Sequence, residues 1–62
     1  MNKKEFAEIV RSKRKELGFT KSAFSDLLGV SWITIWRWET QKETPNKIIM
    51  KLWADKIRSM KK

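Results

Sequence analysis

Arg37 is the side chain of this sequence best suited to recognising one particular partner. Its guanidinium is a rigid fork of N–H donors that can meet guanine O6 and N7 together, and it meets a phosphate equally well. Both contacts stay open for it, as does plain solvation. Few other residues offer chemistry. The 62 residues include no histidine and no cysteine, so the commonest general base, the commonest metal ligand and any thiolate site or disulfide are missing. Catalysis would rest on scattered carboxylates and lysines that form no constellation, so the chain is not expected to be an enzyme. No metal, cofactor or small-molecule ligand is expected. Fifteen Lys and Arg oppose seven Asp and Glu, for a net charge of +8. Such a field favours polyanions, and nucleic acid is the commonest large one. Ribosomal proteins, membrane-surface peptides and merely basic domains share that charge.

What positions Arg37 is the segment 21–40, KSAFSDLLGVSWITIWRWET. It reads as two short helices joined by a tight turn, the layout of a DNA-reading helix-turn-helix. Phe24, Leu28, Val30, Ile35 and Trp38 are apolar where two crossed helices must touch. Ser25 is small where the helices pass closest. Gly29 stands where a chain leaving a helix needs positive φ, and Ser31 suits the N-cap of the next helix. With Ile35 and Trp38 inward, the outward face of that helix holds Trp32, Ile33, Trp36 and Arg37.

The remaining elements follow from periodicity and caps. The sequence predicts helices over 3–17, 21–28, 32–40 and 45–59, with Asn2, Thr20, Ser31 and Thr44 as caps. Glu5 is placed to bond back to Asn2 in a capping box. Phe6, Ile9, Val10 and Leu17 share one face of the first helix, while Lys3, Lys4, Arg11 and Lys15 face water. Gly18 ends that helix. Pro45 is expected in the first turn of the fourth helix, where its missing N–H costs nothing. Ile49, Leu52, Trp53 and Ile57 form its expected inner stripe, and 60–62 is expected to fray. The fold class is therefore all-α, a compact four-helix bundle forming one domain over 1–62. No apolar run approaches the roughly 18 residues of a membrane span, and residues 1–4 lack the apolar core of a signal peptide. The expected location is the cytoplasm, and the chain reads as complete.

These residues resemble the helix-turn-helix family of phage repressors and Cro proteins, together with similar bacterial regulators. The resemblance covers about 10–45. Its anchors are Ser12-Lys13-Arg14, Leu17-Gly18-Phe19-Thr20, Phe24, Gly29-Val30-Ser31, Ile35, Arg37-Trp38-Glu39 and Pro45. It implies a largely buried salt bridge between Arg14 and Glu39. It places Trp32, Ile33 and Arg37 at base-reading positions in the major groove, with Trp36 beside them. Lys21 then reaches the backbone or an outer base. Thr20 begins the helix that lies across the backbone, and Ser31, Thr40 and Lys42 match phosphate-contacting positions. Backbone amides at the start of the second helix would add an anion site.

Relatives commonly carry glutamine where Lys21 stands and polar residues where Trp32, Ile33 and Trp36 stand. The apolar patch left here has three readings: contact with thymine methyls and sugars, a protein-binding surface, or Trp36 folded back on the fourth helix. Relatives also use a fifth helix in their dimer contact. Ile48, Met50, Ile57 and Met60 exceed one inner stripe and are candidates for a dimer surface here. The expected function is sequence-specific double-stranded DNA binding by a small transcriptional regulator of phage or mobile-element type. It would repress by covering a promoter, as a homodimer on a palindromic operator if it dimerises. The competing class is a protein-interaction module, an inhibitor or antitoxin-like adaptor using the Trp32–Ile33–Trp36 face.

Overall fold

The computed structural model describes residues 1–61, which form four helices and no strand: α1 (Lys3–Glu16), α2 (Lys21–Leu28), α3 (Trp32–Glu39) and α4 (Lys47–Arg58). Each starts on a side chain that takes one of the N–H groups a helix start leaves unpaired. Asn2 Oδ1 accepts from Glu5 N at 2.8 Å, Thr20 Oγ1 from Ala23 N at 3.1 Å, and Ser31 Oγ from Thr34 N at 3.3 Å. At Asn2 only this forward half of the expected capping box forms among the described residues.

The fourth cap differs from the sequence reading. Asn46, not Thr44, caps α4, its Oδ1 accepting from Ile49 N at 2.9 Å. Asn is a stronger cap than Thr. With Asn46 as the cap the helix begins at Lys47, so Pro45 precedes the cap and is not part of the first helical turn.

The first three helices end the same way. In each, the residue after the cap or at it turns left-handed, at Gly18 (φ 77°), Gly29 (φ 73°) and Gln41 (φ 62°). The next amide then reaches back five residues: Phe19 N to Arg14 O, Val30 N to Ser25 O, and Lys42 N to Arg37 O, all at 3.0 Å. These are Schellman closures, and each satisfies carbonyls the helix end leaves unpaired. Glycine reaches such φ freely at the first two; Gln41 does so against its own Cβ.

Packing is organised around α1, which contacts both α3 and α4, while α2 packs on α3. Phe6, Val10, Phe24, Ile35 and Ile57 are fully buried. Phe6 meets the edge of Trp38 at 5.2 Å between ring centroids, and Trp38 meets Trp53 at 5.4 Å. Aromatic contacts of this kind carry much of the burial in so small a chain. Ser25 is buried between α2 and its neighbours, its hydroxyl donating to Ser22 O at 2.7 Å.

The inner stripe of α4 is rotated from the expected one. Met50, Ala54 and Ile57 are buried and Trp53 half-buried, whereas Ile49 and Leu52 point outward. Both stripes satisfy helical spacing. The small Ala54, fully buried, sits on the packed face, where a larger side chain would hold the helices apart. Met50 and Ile57 thus belong to the core and not to a dimer surface, and Met60 packs against that core. Lys62 lies outside the described residues.

Because nothing lies within 4 Å of a Cβ built on Gly29, Gly29→Ala isolates the cost of positive φ, about 1–2 kcal/mol of stability. Gln41→Gly should do the reverse and stabilise by up to about 1 kcal/mol, raising Tm by several degrees. Thermal melts of both variants check this, and an unchanged Tm for Gln41→Gly would show that the turn at 41 carries no strain.

Candidate nucleic-acid interface

The exposed face of α3 is built by what its opposite face must do. Ile35 and Trp38 are drawn into the core, so residues roughly half a turn away are forced outward. Trp32 keeps 56% of its surface exposed, and Ile33 and Trp36 keep 38% each. Arg37 lies beside them, with its side chain 45% exposed and Nη1 at 3.6 Å from Glu43 Oε2. The Schellman turn at Gln41 folds Glu43 back to that position. Exposed pairs of this kind are weak, so Glu43 restrains Arg37 without immobilising it.

Glu39, the last residue of α3, fixes the helix against its neighbours. Its carboxylate accepts Arg14 Nε at 2.7 Å and Arg14 Nη2 at 3.0 Å, while Arg14 Nη1 donates to Phe19 O at 3.0 Å. The two side chains are 11% and 5% exposed. The hydrogen bond to Glu39 raises the Arg14 pKa above its ordinary value, outweighing the opposing effect of burial. Lys21 adds a third, looser contact, with Nζ at 4.0 Å from Glu39 Oε1.

Trp36 does not fold back on α4. It lines a cleft of about 280 Å³ with Arg11, Arg14, Lys15, Lys21, Glu39 and Thr40. Four cations and one carboxylate meet there, and Arg14 already takes two bonds to that carboxylate. The α1 pair Arg11 and Lys15, expected simply to face water, therefore border the same cleft as Lys21 and Trp36. Their i, i+4 spacing on the α1 surface beside Arg14 is the signal that could have found them. Glu43 carries no such signal, because only the reversal at Gln41 brings it to Arg37.

The remaining candidates divide by how their donors are engaged. Thr20 uses its oxygen to accept from Ala23 N, so its proton stays free to donate; the N–H groups of Lys21 and Ser22 precede the first intrahelical bond. Ser31 and Thr34 share a hydroxyl contact at 2.9 Å. Thr40 differs: its hydroxyl donates to Trp36 O at 2.7 Å, which engages its single proton inside the helix. Lys42 is exposed just after the turn. A second apolar surface stands apart on α4, where Ile48, Ile49 and Leu52 are 76%, 38% and 61% exposed.

Comparisons with protein-family models, curated proteins and solved structures give no match. Among the described residues, no helix is long and apolar enough to cross a membrane, and no group of acidic side chains is arranged to hold a metal ion.

Removing one partner of the Arg14–Glu39 pair leaves the other charged and buried, which typically costs about 3–5 kcal/mol. Glu39→Ala should therefore lower Tm steeply or prevent folding, in chemical and thermal denaturation alike. A melting curve like that of the wild type would mean the pair contributes nothing to the fold.

Proposed function

We propose that this chain is a double-stranded DNA-binding transcriptional regulator of the phage repressor and Cro type, with α3 in the major groove and α2 across the backbone. The observation that supports this reading is the meeting of two surfaces. The outward face of α3 ends, at Trp36 and Thr40, in a cleft bordered by Arg11, Lys15 and Lys21. A helix presenting side chains to base edges with cations beside it suits a polyanion whose edges are read in a groove.

In this arrangement Arg37 meets guanine, and Trp32, Ile33 and Trp36 meet thymine methyls and sugars. Thr20, Lys21, Ser31 and Lys42 hold phosphates, joined by Arg11 and Lys15. Thr40 joins only by giving up its bond to Trp36 O. Binding over a promoter would repress by occlusion, in the cytoplasm where the nucleoid lies. A palindromic operator would point to a homodimer, for which the exposed stripe of Ile48, Ile49 and Leu52 is the available apolar contact.

The joint exposure of Trp32, Ile33 and Trp36 on one helix face favours a second reading, an inhibitor or antitoxin-like adaptor that binds protein through this face. Salt separates the two. Duplex binding weakens steeply as salt rises because counterions are released, whereas contact through an apolar patch is nearly indifferent.

Selection from a random duplex pool, followed by titration of the enriched site at several salt concentrations, tests the proposal; absence of any enriched motif would remove it. On the selected site Arg37→Ala should cost about 1–3 kcal/mol and relax preference at one base pair. Uniform weakening across sequences would reassign Arg37 to a phosphate. Glu43→Gln, which frees Arg37 and removes a unit of negative charge, should tighten binding modestly.

A further inference from the structure

We infer that the α3 face also binds single-stranded DNA, with bases stacked on Trp36 and Trp32 and the strand's phosphates in the cleft of Arg11, Lys15 and Lys21. The inference stands on the chemistry of the exposed side chains and does not need the duplex reading. A base edge is read by donors and acceptors. Trp32 and Trp36 each bring one N–H and no acceptor, and Ile33 brings neither. What they offer in quantity is ring surface, and every base has a π-face to lay on it.

Spacing points the same way. Trp32 and Trp36 are four residues apart on α3, a rise of about 6 Å along the helix axis. Bases stacked along one strand of a duplex repeat every 3.4 Å or so. Neighbouring bases can reach both rings only when the strand is extended and unstacked. Trp36 forms a wall of the cationic cleft, so a base on that ring has its phosphate within the field of Arg11, Lys15 and Lys21. Aromatic platforms along a basic groove are the general means of holding unpaired strands. DNA is favoured over RNA because exposed Ile33, beside the two rings, gives the thymine methyl an apolar contact that uracil lacks.

Titration of a short fluorescein-labelled oligothymidylate at low salt, following both label anisotropy and tryptophan emission, tests the inference. The expected result is saturable binding that quenches tryptophan emission and weakens as salt rises. Trp36→Ala should weaken it about tenfold or more, and Trp36→Phe should keep most of the affinity, since a ring remains. Trp32→Ala should weaken it less, because Trp32 does not line the cationic cleft. Arg11→Ala should weaken binding and flatten the salt slope by about one unit. Both tryptophans are exposed, so circular dichroism should find these variants folded.

No binding at low salt, or equal affinity for wild type and a folded Trp36→Ala, would overturn the inference. Oligouridylate bound as tightly as oligothymidylate would overturn the assignment to DNA. A chain that binds oligothymidylate but enriches no duplex motif retains this inference and loses the duplex reading. Duplex enrichment without oligothymidylate binding does the opposite.

Discussion

The structure turns on one guanidinium. Arg14 donates through three corners, twice to Glu39 and once to the carbonyl of Phe19. The first two bonds lock the end of α3 to α1; the third, with the Phe19 N to Arg14 O bond at 3.0 Å, clasps the turn that leads into α2. α1, α3 and the turn into α2 therefore share a single polar joint in an interior that, Ser25 apart, is otherwise apolar among the described residues. Such a pair is not a cheap source of stability, because both charges leave water. Its geometric effect is larger than its energetic one. A planar fork against a planar carboxylate fixes rotation as well as distance, so the face that α3 turns outward is decided here together with the burial of Ile35 and Trp38.

That outward face has two neighbours of opposite sign. On one side Glu43 lies against Arg37, reached through the left-handed turn at Gln41. On the other, Arg11, Lys15 and Lys21 gather around Trp36. Arg37, beside Glu43, is thus partly screened before any ligand arrives, whereas among the described residues Arg11 and Lys15 make no ion pair and Lys21 only the loose one to Glu39. Electrostatic attraction and aromatic surface coincide at Trp36. The proposed contacts with nucleic acid, paired or unpaired, draw on that coincidence more than on hydrogen-bond donors directed at base edges.

The helices and their caps were largely legible, because they depend on near neighbours in sequence. Asn2, Thr20 and Ser31 each cap a backbone amide three residues on, and Gly18 and Gly29 turn where glycine is least strained. Where two local solutions competed, local reasoning chose wrongly. Thr44-Pro45 and Asn46 both offer a start for α4, and the stronger cap prevailed. The stripes 49-52-53-57 and 50-53-54-57 both satisfy the helical period, and counting hydrophobic bulk favours the first. Packing against α1 favours the second, since Ala54 brings the backbones close and the larger Leu52 does not.

By itself, then, the sequence determined an all-helical chain with a small-residue contact at Ser25, a tight turn at Gly29 and an excess of positive charge. These follow from residue volume, backbone freedom and composition, which are properties of a position and its near neighbours. Tertiary structure alone decided that Arg11 and Lys15 border the same cleft as Trp36, that Lys21 leans toward Glu39, that Glu43 restrains Arg37, and that Thr40 engages its proton with Trp36 O. The first three join residues that are distant in the chain or separated by a reversal of direction. The last depends on the side-chain rotamer at the closing turn of α3, which no pattern of residue types specifies.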